Sequence, residues 1–202
     1  MKMLLIAVGA LLLAALAVPV LAITAAASVL NTAGAVVVGV AVGAGADVNV
    51  GTVTACSSAG MQVAGQSLDS GQVQDAEIIY QVGVKLGLPS YGEQIAIATA
   101  MQESSLVNLT DATNYDSLGL FQQRPSQGWG TPAELTDPVY ASTKFYQALE
   151  EVSGWQSLPL TDAAQRVQRS AYPDAYAHWT VFAADLVTTF SSTGGACPST
   201  AT

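Results

Sequence analysis

Hydrophobic and polar positions divide the chain into three regimes. Residues 3–46 are apolar or small almost without interruption and carry no charged side chain. Residues 47–71 mix Gly, Ser, Val, Ala and Gln without a clear period. From residue 72 onward the pattern turns helical. Val73, Ala76, Ile79, Tyr80, Val82, Gly83 and Val84 recur at helix spacing and predict a helix over residues 72–86. Gly87-Leu88-Pro89 stops it, since glycine favours a helix C-cap and proline cannot continue the ladder. The next stretch, YGEQIAIATAMQESSL over residues 91–106, has a different character: from Ile95 to Met101 only Thr99 is polar. A helix that is apolar all round belongs in the middle of a domain. Ser90 and Glu93 have the spacing of a capping box and predict its start. Further helices are predicted over residues 139–152, 161–171 and 173–190, the second capped by Thr161 or Asp162 and the last with proline in its first turn. Between them, residues 108–114 are turn-rich, residues 116–123 read as extended, and residues 125–132 read as a loop pinned by Trp129.

Composition sharpens the division. Hydrophobic residues make up 50% of the chain and charged residues 10%, an imbalance that comes from the N-terminal third. Lys2 followed by the apolar run Leu4–Ile23 reads as a secretion signal cleaved after Ala22 or Ala27, or as a membrane anchor, with the domain exported in either case. The organisation that follows is residues 1–27 as signal peptide or anchor, 28–71 as a low-complexity apolar and flexible linker, 72–192 as the folded domain, and 193–202 as a tail. Within the linker, residues 33–46 read either as a pairing or lipid-facing strand or as a spacer. Cys56 and Cys197 flank the domain, and in an exported chain a disulfide joining them is the expected pairing. Residues 53–56 loosely resemble a lipidation box, but they lie far beyond the hydrophobic run.

Charge and residue inventory exclude several classes. The formal net charge is −9, and residues 72–192 hold thirteen acidic and five basic side chains, which argues against nucleic acid as a partner. His178 is the only histidine, so neither a metal cluster nor a nucleophile-histidine pair is expected, and no cofactor is called for. What remains is carboxylate chemistry. Glu103 ends the buried helix, where partial loss of water disfavours its charged form and suits it to act as a general acid. The plainer reading of Glu103 alone is a helix-end carboxylate pointing into solvent.

The residues downstream bear on that choice. Glu103-Ser104 and, some fifteen residues on, Gly119-Leu120-Phe121-Gln122 resemble the E-S and G-L-M-Q signatures of the lysozyme-like lytic transglycosylases and goose-type lysozymes. SLGLFQQRPSQGWGTP and QRSAYPDAYAHW are similar to a group of secreted actinobacterial domains of that superfamily. The resemblance spans roughly residues 73–190, with Phe121 standing where methionine is usual. It implies a mainly α (α+β lysozyme-like) fold, a helical bundle around a central buried helix with a small β-hairpin. The reaction it implies is cleavage of the β-1,4 bond between MurNAc and GlcNAc in peptidoglycan. A lytic transglycosylase needs one catalytic Glu, here Glu103. A lysozyme-type hydrolase would use a second carboxylate, with Asp116 first and Asp111 behind it. The alternative from another class is a non-catalytic wall-binding or assembly module of an envelope machine.

By the same resemblance Ser104, Ser117, Gly119, Phe121 and Gln122 are expected to line or shape the sugar cleft. Tyr172, in Ser170-Ala171-Tyr172-Pro173, matches the tyrosine of the family's A-Y-N motif, with proline in place of asparagine. Asp116 has a structural reading as well, as a turn-capping aspartate that ties its loop through backbone amides. Tyr115, Phe121 and Trp129 are aromatic candidates for stacking on sugar rings or for the core. The expected partners are peptidoglycan glycan strands, with membrane contact through the N-terminal segment if it is retained.

Overall fold

The computed structural model describes residues 59–112 and 115–193, together with Val50. These lie within one compact unit, Val42–Thr202. They are mostly helical, with a single two-stranded antiparallel hairpin. The N-terminal apolar run, most of the linker, and both Cys56 and Cys197 lie outside the described residues, so the expected disulfide does too. No helix among the described residues is long and apolar enough to cross a membrane.

The hairpin pairs β1 (Met61–Val63) with β2 (Gln66–Leu68) in the register Met61↔Leu68, Gln62↔Ser67 and Val63↔Gln66. It occupies residues that the composition marks as flexible linker, and that expectation is corrected. Ala64 and Gly65 both take positive φ, 45° and 78°, as a two-residue turn matched to strand twist requires. Val63 and Leu68 then face inward and join the core. Six residues of strand give too short an alternation to stand out from a Gly/Ser/Gln background, and alanine is an uncommon residue in that turn.

α1 (Ser70–Leu86) starts at a capping box in which the Asp69 carboxylate accepts from the Gln72 amide, while the Gln72 side chain accepts from the Asp69 amide, both at 2.9 Å. Gly87, at φ 75°, ends it. α2 (Ser90–Ser104) runs through the middle of the bundle and packs against α1, α4, α5 and α6. Its residues Ile95, Ala96, Ile97, Ala98 and Ala100 are fully buried, and Thr99 is accommodated because its hydroxyl donates to the Ile95 carbonyl at 2.7 Å. The expected capping box at Ser90 is not formed. Pro89 is the N-cap and Glu93 turns into the core instead of back to the backbone.

The remaining elements are α3 (Pro132–Leu135), α4 (Pro138–Glu150), α5 (Leu160–Gln168) and α6 (Thr180–Ser192). α3 is a one-turn helix with a capping box between Thr131 and Glu134 that the hydrophobic period was too short to register. α5 ends three residues before expectation, because Arg169 adopts the left-handed conformation at φ 53°, and neither Thr161 nor Asp162 caps it. The predicted helix over residues 173–190 is broken into a 3-10 turn, Ala175–Trp179, followed by α6. Residues 116–123 are not an extended strand but a set of tight turns closed by one antiparallel bridge, Leu118↔Gln123.

Candidate active site

The last turn of α2 carries Gln102, Glu103 and Ser104 in three directions. Ser104 faces inward: its hydroxyl donates to the Leu120 carbonyl at 2.8 Å and to Ala100 at 3.0 Å, and the residue is buried. It is therefore a clamp between α2 and the loop at residues 118–123, not a group that touches a ligand. Gln102 is exposed and accepts a hydrogen bond from the Trp179 indole at 2.8 Å. Glu103, half-buried between them, opens onto a cleft of about 910 Å³.

Glu103 has one close polar partner. The hydroxyl of Tyr176, which is fully buried, donates to Glu103 Oε1 at 2.6 Å. Burial pushes the Glu103 carboxyl above the usual carboxylate range, and the Tyr176 hydrogen bond pulls it part of the way back. The tyrosine hydroxyl is itself pushed up by burial and by the carboxyl beside it, so it stays a donor. Tyr172, which the resemblance matches to the A-Y-N tyrosine near the catalytic Glu and offers as catalytic support, instead stands 75% exposed on the cleft rim. Ala175-Tyr176-Ala177 presents the same A-Y start as Ala171-Tyr172-Pro173 and sits four residues later. Pro173 and the 3-10 turn, which rotate Tyr176 inward, decide between them.

Immediately after Glu103 the backbone is strained. Ser105 and Leu106 both take left-handed angles, φ 57° and 58°, a conformation that costs non-glycine residues free energy. Two contacts hold it: Leu106 is fully buried, and the Ser105 carbonyl accepts from the Gln72 amide nitrogen at 2.7 Å. The residue that caps α1 thus also fixes the turn behind the acid.

The loop at residues 116–123 forms the facing wall. Gly119, at φ 72°, lies where a Cβ would come within 2.0 Å of the Leu135 carbonyl, and its amide donates to the Leu109 carbonyl at 2.8 Å. It shapes the loop and does not line the cleft. Phe121 borders the cleft but is buried and stacked on Phe145 at 4.6 Å, so most of its ring belongs to the core, and its carbonyl accepts from Gln168 at 2.9 Å. Gln122, at φ 48°, and Ser117 do line the cleft. The Gln122 amide folds back on the Gly119 carbonyl at 3.0 Å. Tyr115 stands 83% exposed at the rim, with the Arg124 guanidinium 4.8 Å from its ring centre.

Asp116 is turned away from the chemistry. Arg124 Nε donates to it at 2.6 Å, and the amide and hydroxyl of Ser126 donate at 2.8 and 3.0 Å. These bonds hold its carboxyl well below the usual range, and it does not line the cleft. Such a group is a poor base and ties residue 116 to the Pro125–Gln127 turn. Asp111 is also absent from the wall. The other acid that lines the cleft is Glu151, just after α4, which is exposed and which sequence reasoning missed because its helix end carries no motif. Among the described residues no group of three or more His, Cys, Asp or Glu side chains is placed to hold a metal ion.

The chain matches no family model and no curated protein. The arrangement itself is a desolvated carboxylic acid, oriented by a buried tyrosine, at the floor of an open groove walled by tight loops. Chemically, that is a proton donor and acceptor for a substrate long enough to lie in a groove.

Proposed function

We propose that this chain is a peptidoglycan-cleaving enzyme of the lysozyme-like superfamily that breaks the β-1,4 bond between MurNAc and GlcNAc with Glu103 as its catalytic acid and base. The observation that carries the reading is the half-buried Glu103 carboxyl, raised above its ordinary range by desolvation and fixed by Tyr176 in a cleft of about 910 Å³. Its coincidence with the E-S and G-L-F-Q resemblance supports the substrate class. The apolar N-terminal run supports export, to the wall or to the outer face of a membrane.

The reaction would proceed in two proton transfers. Protonated Glu103 gives its proton to the bridging oxygen as the C1–O bond breaks, and charge develops on the MurNAc ring. The ring's own C6 hydroxyl then attacks C1 and returns its proton to the Glu103 carboxylate. The products are a new GlcNAc hydroxyl end and a 1,6-anhydro MurNAc end, with no water consumed. One carboxyl group suffices for this route, which suits a site where Asp116 is bound to Arg124 and Ser126. A hydrolase would need an activated water and a second carboxylate, for which Glu151 is the available group.

Glu103→Gln keeps the shape of the side chain and removes its titratable proton. Positioned acid catalysis is worth about 10²–10⁴ in rate, and a loss of that size is expected with folding intact. The measurement is mass spectrometry of muropeptides released from purified walls by wild type and variant at equal concentration. Anhydro-MurNAc products identify the transglycosylase route and reducing ends the hydrolase. Release by Glu103→Gln within about threefold of wild type removes Glu103 from the acid's role. If neither protein releases any fragment, the wall-binding module becomes the better account.

A further inference from the structure

All three arginines of the chain, Arg124, Arg166 and Arg169, line the cleft that holds Glu103, in a chain of formal net charge −9. Cationic side chains are thus concentrated around one cleft against the sign of the whole molecule. Arg124 is already engaged, with Asp116 on its Nε and the Tyr115 ring beneath it. Arg166 and Arg169 are not. Both are exposed, and neither side chain forms an ion pair among the described residues. A helix C-terminus attracts a cation, which accounts for Arg166 in the last turn of α5. It covers Arg169 at the cap as well, but not the fact that both line the cleft.

The backbone that carries the pair is held in place. Arg166 lies in the last turn of α5 and Arg169 is its C-cap, so both extend from the same helix end. Gln165 donates to the Ser170 carbonyl at 2.8 Å, and Thr161 donates to the Pro173 carbonyl at 2.6 Å. Gln168, between the arginines, donates to the Phe121 carbonyl at 2.9 Å and joins this helix end to the facing loop. Two guanidinium groups are therefore presented from a fixed edge of the groove. Guanidinium is the side chain best matched to a carboxylate, through paired N–H donors.

Building on the peptidoglycan reading, we propose that Arg166 and Arg169 bind a carboxylate carried on the side arm of the glycan, so that the substrate is an acidic muramyl strand and not a neutral polymer of N-acetylglucosamine. The 3-O-lactyl arm of MurNAc supplies such a carboxylate in two ways. On a stripped strand the lactyl carboxyl is free; on an intact strand it is amide-linked to a stem peptide that carries its own carboxylates. Glu151 is the remaining exposed acid that lines the cleft.

The test is calorimetric binding of soluble strands of equal length by the full chain bearing Glu103→Gln, which prevents turnover. The ligands are peptide-bearing strands, amidase-stripped strands and neutral chitin oligosaccharides. Binding at least about tenfold tighter to an acidic strand than to the chitin oligosaccharide is expected, which corresponds to one well-made charged contact. Adding Arg166→Gln and Arg169→Gln should reduce that preference to about threefold or less, while adding Lys85→Gln, at the end of α1 and off the cleft, should leave it unchanged. The peptide-bearing and stripped arms identify which carboxylate is read. Equal binding of all three ligands, or a preference that survives loss of both arginines, overturns the proposal. Failure of the enzymatic reading has a separate signature, namely cleavage retained by Glu103→Gln.

Discussion

Desolvation and one opposing hydrogen bond separate Glu103 from an ordinary helix-end carboxylate. Tyr176 donates to it at 2.6 Å from a fully buried position, and that bond favours the charged form while desolvation disfavours it. Desolvation is the larger effect, so the carboxyl remains protonated at pH values where an exposed glutamate is ionised. The acid form is the active one for leaving-group protonation, so kcat/KM in the proposed reaction should fall as pH rises through the Glu103 pKa. Tyr176→Phe removes the stabilisation of the carboxylate and raises that pKa further. The alkaline limb of the kcat/KM profile should then move to higher pH, while kcat at its optimum drops about tenfold as the carboxyl loses its orientation. A limb that stays in place, or moves to lower pH, contradicts this account of Glu103.

At the scale of elements, the site depends on where α2 stops and on what its end is fastened to. Ser104 joins the helix to the Leu120 carbonyl, Gln72 of α1 holds the strained Ser105 carbonyl, and Gln168 of α5 holds the Phe121 carbonyl. Three helices thereby fix one turn and one loop with side-chain amides and a hydroxyl. Ser104→Ala leaves the Leu120 carbonyl without this donor, at a cost of about 1–3 kcal/mol for a buried acceptor. The expected outcome is a lower Tm together with a fall in kcat, as the loop shifts against Glu103. A ligand-binding role for Ser104 would instead raise KM and leave Tm unchanged, so thermal unfolding followed by steady-state kinetics separates the two.

Across the whole molecule, buried carboxyls give stability a pH dependence of defined sign. Glu93, 3% exposed between α1 and α4 with Tyr80 and Tyr146 nearby, is pushed up by burial to about 7. Asp75 is pushed up by burial to about 6, against a backbone hydrogen bond from Asn108 that lowers it. For an acid whose folded pKa lies above its unfolded value, the folded state binds more protons. Its contribution to stability is complete below about pH 4 and is lost as pH rises through about 6 to 7. Asp116 has the opposite sign, since its depressed pKa adds stability that is lost only in acid. Tm should therefore be higher at pH 5 than at pH 8. Glu93→Gln, which fixes a neutral side chain of the same shape, should raise Tm at pH 8 by about 4 °C or more and flatten the slope between the two. A Tm for Glu93→Gln that falls equally at both pH values would show that the carboxyl is bonded, not merely desolvated.

Local physics determined much of this chain without reference to the fold. The all-apolar run from Ile95 to Met101 dictated a central helix, because no orientation of such a helix leaves a face for water. Gly87 and Pro89 fixed the break before it, and the abrupt change to Gln102-Glu103 placed a carboxyl at a boundary between core and solvent. Which way each neighbour points was decided only by tertiary packing. Ser104 carries the same local signature as ligand-lining residues, yet the core takes its hydroxyl, while Phe121 borders the cleft with its ring packed in the core. Tyr172 and Tyr176 both follow an alanine, and a 3-10 turn turns the second inward. Asp116 became a structural ion pair because Arg124, eight residues away, folds back across a turn that no hydrophobic period records. The three arginines meet around one cleft because the end of α5 is joined to the loop before Arg124 through Gln168 and Phe121, a juxtaposition of segments about forty residues apart that spacing along the chain does not encode.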